Sequence, residues 1–206
     1  MKRITFFAVA MLMSISVMAQ DKIQLPTPQF DGHSAEATLV DVLRQRQSER
    51  EYSAEDLSLQ ELSNVLWAAC GINRPESKRI TAPSAINGQD IIVFVCRADG
   101  AWRYDAEPNT LTRVSSLDLR RAVAGRQEFA AAAPVSLVLV SDISRVHNNR
   151  ELGAMDAGYV SENIYLACTA MGLKTVARAT MERDALVREL GLGDAQVPML
   201  NHPVGK

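Results

Sequence analysis

Ile91-Ile92-Val93-Phe94-Val95-Cys96, followed by Trp102-Arg103-Tyr104-Asp105 and Thr110-Leu111-Thr112-Arg113-Val114, is the stretch that decides the fold. The first piece is an unbroken apolar and β-branched run of the length expected for a buried strand. The next two, parted by Pro108-Asn109, predict a hairpin. Val135 to Val140 reads as a second buried strand, Lys174 to Ala179 as a short one and Pro198 to Val204 as a last extended piece. Strands and helices therefore mix without regular β-α alternation, which points to an α+β domain rather than a doubly wound sheet.

Working outward, helices flank these strands. Ser34 is placed to cap a helix starting near Ala35, with Leu39, Val42 and Leu43 as its apolar side. Ser58-Leu59-Gln60-Glu61 fits a capping box, and Leu62, Val65, Leu66 and Ala69 recur at helical spacing until Gly71. Ile72 to Gly88, with Pro75 and Pro83, reads as a loop. Leu117 to Ala132 is Ala-rich and predicts a helix that ends before Pro134. Glu151 to Met171 predicts a long helix whose face is Leu152, Met155, Tyr159, Val160, Asn163, Leu166, Ala167 and Ala170, closed by Gly172. A short helix follows at Arg183 to Leu190.

The N-terminus sets the address. Lys2 and Arg3 precede an apolar run from Ile4 to Val17 that is short for a membrane span, and Val17-Met18-Ala19 offers small or modest side chains before polar sequence. Residues 1–19 are thus expected to be a signal peptide cleaved after Ala19, leaving an exported, periplasmic protein with no stable membrane span. Residues 20–34 read as an extended arm and 35–206 as one domain. The mature length of about 187 residues suits a single core. Losing Lys2 and Arg3 takes the formal charge from −2 to −4, with 20 basic against 24 acidic residues, and leaves no basic stripe for a nucleic acid. Cys70, Cys96 and Cys168 each sit in an apolar stretch and read as small buried hydrophobes. His33, His147 and His202 are isolated, so no metal site is expected.

Four segments could carry chemistry. Arg44-Gln45-Arg46-Gln47-Ser48-Glu49-Arg50 places three guanidinium groups and a hydroxyl where a phosphate could be gripped bidentately. In Ala82-Pro83-Ser84-Ala85-Ile86-Asn87-Gly88-Gln89, small residues let backbone approach a ligand, while Asn87 and Gln89 offer amides. Gly172 to Thr180 is a tight passage from helix to strand with small side chains, and Gly125-Arg126-Gln127-Glu128-Phe129 leads into Ala133-Pro134 and a strand. There is no G-x-G-x-x-G or G-x-x-x-x-G-K-[ST] and no hydrolase-type nucleophile pair, so neither a Rossmann cofactor nor an ATP phosphate loop is supported.

Taken in order, Arg46-Gln47-Ser48-Glu49-Arg50-Glu51-Tyr52, Pro83-Ser84-Ala85-Ile86-Asn87-Gly88-Gln89, Ala133-Pro134 before a strand, and Glu162-Asn163-Ile164-Tyr165-Leu166 running to Gly172-Leu173-Lys174-Thr175 resemble the FMN-dependent nitroreductase family, closest to its SagB-type members, across the mature chain. The resemblance implies a nitroreductase-like fold, a mostly antiparallel central sheet flanked by helices, in a homodimer. It implies FMN held by Arg46, Gln47 and Ser48 at the phosphate and ribityl chain, with Arg50 near N1 and O2, where a cation stabilises the anionic reduced ring. Pro83, Ser84, Ala85, Asn87 and Gln89 would reach the cofactor from the second subunit. Ala177, Arg178, Ala179 and Thr180 match a strand end facing N5. Arg178 stands where relatives are commonly apolar, Ala179 and Thr180 where they often have glycine, and Lys206 is the sole basic residue left at a C-terminus that relatives extend.

The expected activity is ping-pong transfer through flavin N5 from a small electron donor to a nitroaromatic, quinone or activated C=C or C=N acceptor, with no side chain nominated as catalytic. Oxidation to an azoline-like ring is the variant the SagB resemblance suggests. A noncatalytic flavin-binding or interaction protein that kept the fold is the alternative. Nicotinamide donors and free FMN are cytoplasmic pools, so export favours a donor other than NAD(P)H.

Overall fold

Seven strands form one sheet in which every neighbouring pair is antiparallel. The computed structural model describes residues 21–32 and 36–206. The segment read as a signal peptide, and the cap and helix start at Ser34 and Ala35, lie outside the described residues. The strands are β1 (Lys22–Gln24), β4 (Ile91–Arg97), β5 (Gly100–Asp105), β6 (Thr110–Ser115), β7 (Val135–Asp142), β8 (Lys174–Thr175) and β9 (Gln196–Gly205), in the order β1-β6-β5-β4-β7-β9-β8. A separate small hairpin pairs β2 (Ile72–Arg74) with β3 (Arg79–Ile80), inside the segment expected to be a loop.

The apolar runs in β4 and β7 are continuous because both faces of the sheet are covered. Ile91, Val93 and Val95 point to one face with Val135, Leu137 and Leu139, and meet α2 (Leu59–Cys70) and α4 (Arg150–Ala170). Phe94, Cys96, Val138 and Val140 point to the other, under α3 (Arg120–Ala124) and α5 (Arg183–Glu189). All three cysteines are buried and free, as small hydrophobes. The α2 capping box forms as the sequence predicts, with Ser58 Oγ accepting from Glu61 N and Glu61 Oε2 accepting from Ser58 N.

Two helices differ from expectation. Leu117 to Ala132 is not one helix: α3 ends at Gly125, which has φ +55°, and a short 3-10 turn covers Glu128–Ala132. Helix α1 (Leu39–Gln45) is capped by Thr38, whose side chain accepts from Asp41 N, and buries only Val42. Leu39 and Leu43 stand exposed.

Helix α4 also buries only part of its predicted face, Val160 and Ala167 among it. Its sheet side carries Gly153, Asp156, Ala157, Ser161, Ile164 and Cys168, whereas Met155 and Tyr159 are 60% and 51% exposed. Small residues allow the close approach: a Cβ on Gly153 would lie 2.3 Å from Ser141 Oγ.

Candidate functional site

The chain leaving α1 crosses the end of the sheet beside β8, where Glu49 N donates to Thr175 O (2.9 Å) and Ser53 N to Lys206 O (2.8 Å). Side chains alternate along it. Gln47 turns to Glu49, donating to its carboxylate at 2.6 Å, and both line a cleft of about 500 Å³ with Arg44, Gln45, Lys174 and Thr175. Arg46 and Ser48 turn the other way, onto α4. The Arg46 guanidinium lies 5.0 Å from the centre of the Tyr165 ring, and Ser48 Oγ is 2.9 Å from Tyr165 Oη. Arg50 bends back to Ser48 O at 3.4 Å. Among the described residues neither Arg46 nor Arg50 forms an ion pair.

Tyr165, which the sequence offered only inside the motif at residues 162–166 and with no role of its own, is the hub. Its hydroxyl also accepts from Ala177 N at 2.8 Å, so one phenol joins the arginine segment to the backbone just past β8. Its ring meets His202 edge-on at 5.2 Å. His202 is fully buried between Ser161 and Thr175 (Nε2···Oγ 2.8 Å, Nδ1···Oγ1 3.0 Å). Thr175 Oγ1 donates to Pro203 O, so the ring must donate from Nδ1 and accept at Nε2. Burial pushes this imidazole down to about 3, so the ring is neutral.

Beyond Ala177 the predicted strand is short: β8 stops at Thr175, and only an isolated bridge between Arg178 and Asn201 continues it. Arg178 is spent on structure. Its guanidinium is buried and donates to Gln127 Oε1, Val123 O, Asn201 Oδ1 and Ala124 O, tying the end of α3 to β9. Ala179 is exposed, and Thr180 O accepts from Asn201 Nδ2. Lys206 sits apart from Arg46 and Ser48: its Nζ reaches Glu55 at 2.5 Å and Glu61 at 3.4 Å, anchoring the C-terminus to the start of α2.

The second segment lies at the opposite end of α4. Pro83 and Asn87 are exposed, Ser84 Oγ accepts from Gln89 N, and Ala85 N donates to both carboxylate oxygens of Asp156 (3.0 and 2.9 Å). Ile86, Asn87 and Gln89 all have φ between +45° and +59°. For a β-branched residue such as Ile86 this is a strained backbone. Beneath the loop, buried Asp90 accepts from Ser141 Oγ at 2.5 Å and faces Asp156. Burial, and then the Asp156 carboxylate, push Asp90 up to about 6. Asp90 and Asp156 were missed in the sequence. Asp156 falls four residues from both Leu152 and Val160, a carboxylate at helical spacing among apolar residues, and that was the available signal.

Residues 43–206 match the model of the nitroreductase family. The chain belongs to the nitroreductase family. A protein of Methanocaldococcus jannaschii with a nitroreductase name is 30% identical over 203 residues, spanning 90% of this chain and 98% of its own. A crystal structure from Ralstonia eutropha, also described as a nitroreductase, superposes with a TM-score of 0.83 at 33% identity, over 91% of this chain and 90% of its own. One from Anabaena variabilis shares the fold at 20% identity, with a TM-score of 0.70, over 90% of this chain and 41% of its own. Family membership carries an oxidoreductase role on small molecules, and nitroreductases generally work with a flavin.

The donor set suits such a cofactor. Two guanidinium groups that meet no carboxylate among the described residues flank a hydroxyl, which is the chemistry a phosphate monoester or an anionic ring calls for. Within one chain, Asn87 does not join them. Asp156 and Tyr165, the residues that hold the two segments, are nine positions apart on α4, about 14 Å along its axis.

Proposed function

We propose that this nitroreductase is an FMN-dependent oxidoreductase acting as a homodimer, and that it works after export. The observation that carries the flavin reading is the pair of arginines without carboxylate partners among the described residues, Arg46 and Arg50, on either side of Ser48, whose support Tyr165 also holds Ala177 N just past β8. Arg46 and Ser48 would hold the phosphate end, and Arg50 would stand by the electron-rich edge of the ring. Hydride exchange at N5 is what the cofactor supplies when bound. The chain's own part is to bind, to orient and to set the electrostatics, and no side-chain acid or base is required.

The dimer reading is supported by what the fold leaves bare. Leu39 and Leu43 on α1 and Met155 and Tyr159 on α4 are large, apolar and exposed. Ile86 is 65% exposed in left-handed backbone. A second copy packed on these residues would cover them and would bring Pro83 to Gln89 toward its neighbour's Arg46 segment.

Purified processed protein should begin at Gln20, be yellow, and bleach under a reductant. Arg46→Ala should lose the flavin, and Tyr159→Glu should yield monomers that shed it. Colourless protein that takes up no added FMN would remove the enzyme reading in favour of a noncatalytic one. Anaerobic screening of donors against quinones, nitroaromatics and activated C=C or C=N acceptors then identifies the reaction. The address favours a donor other than NAD(P)H.

A further inference from the structure

We propose that Tyr165 is a positioning residue of the flavin site, acting by turning the Ser48 hydroxyl proton outward to the ligand and by fixing the backbone at Ala177. This inference rests on the FMN reading above and goes beyond it, since it assigns the organisation of the site to a residue that reading gives no contact with the cofactor.

The argument is one of hydrogen-bond accounting. A tyrosine hydroxyl has one proton and two lone pairs. At Tyr165 one lone pair is taken by Ala177 N–H at 2.8 Å. Among the described residues its other hydrogen-bond partner is Ser48 Oγ at 2.9 Å. If Ser48 donated here, the phenol would accept twice and its own proton would have no acceptor beside a ring that is only 8% exposed. With Tyr165 as donor, its inventory closes, and the Ser48 proton is free on the exposed side of the segment, where an anionic oxygen can accept it.

The ring cannot drift. Ser161 and Thr175 hold His202 from both of its nitrogens, and the His202 and Tyr165 rings meet in a T-shaped contact. The Arg46 guanidinium lies over the same ring, 5.0 Å from its centre. A single side chain thus fixes the spacing between the anion grip at residues 46–50 and the backbone just past β8.

The test is a double-mutant cycle on the full mature protein, read as the FMN dissociation constant by fluorescence titration. Thermal unfolding confirms that each variant is folded. Tyr165→Phe keeps the ring and removes the hydroxyl, while Ser48→Ala removes its target. Each single change is expected to weaken FMN roughly 5- to 10-fold, the worth of one hydrogen bond. Adding Ser48→Ala to Tyr165→Phe is expected to change the constant less than about twofold, because the two act through one contact. A merely structural tyrosine would give independent losses that multiply. Multiplying losses, or Tyr165→Phe with unchanged affinity, overturn the inference and leave the flavin reading standing. Wild-type protein that binds no FMN removes that reading, and this inference with it.

Discussion

Asp156 and Tyr165 both face inward from α4, and each holds a segment that enters the candidate site, but they hold it by opposite chemistry. At the first turns of the helix, a carboxylate grips the amide of a strained loop and leans on a second buried carboxylate, Asp90. Nine residues on, a neutral phenol and a neutral imidazole hold an arginine segment through hydroxyl groups. Protons therefore act on the two ends in opposite senses. The acid pair is relaxed when it carries a proton, and the imidazole is relaxed when it does not.

The largest effect should come from His202. Its folded value lies near 3, below the ordinary 6.5, so its stabilising contribution is present above pH 6.5 and is lost as pH falls toward 3. Denaturant unfolding across that range should show a loss of up to about 4 kcal/mol that His202→Asn, which cannot take up a proton, does not show. An acid slope unchanged in the variant would break the comparison at its Tyr165 end. Next is Asp156→Ala. Removing a charged acceptor from Ala85 N–H should cost about 2 kcal/mol and speed hydrogen exchange of that amide, with the amide of Ala177 unaffected.

Asp90→Asn should act in the other direction. Asp90 is raised from 3.8 to about 6 by burial and by Asp156, so its stabilising contribution is complete below pH 4 and fades as pH rises through 6. The amide variant should gain about 1–2 kcal/mol over wild type above pH 6, with no gain below pH 4. The smallest effect is expected for Ile86→Gly, which relieves a left-handed isoleucine but loosens the unfolded chain, for a net gain under about 1 kcal/mol in isolated protomers. Calorimetry on diluted protein would read it.

The parts of this fold legible in the sequence were those in which one residue pattern served one purpose. The runs at β4 and β7 are apolar on both sides because both sides are covered, and Ser58 with Glu61 closes a cap on its own helix. Leu117 to Ala132 misled because alanine favours helix everywhere, while Gly125, with φ +55°, takes a backbone that ends the first helix. Only part of the α4 face was legible, because its close approach to the sheet is made at small residues such as Gly153, which carry little apolar signal. Arg46 and Ser48 were legible as a cluster and do share one support. That this support is a tyrosine 117 residues away from Ser48 was not, since a tyrosine at helical spacing looks like any other core residue.

Both margins of the main sheet are blunt. β1 is three residues long and includes Lys22, while β8 is two residues long with its Thr175 carbonyl already claimed by Glu49. An edge that short and that occupied is a poor template for an incoming strand, so edge-to-edge stacking and the aggregates that grow from it are disfavoured. Any association between copies is thereby channelled to the helical faces, where Met155 and Tyr159 stand uncovered.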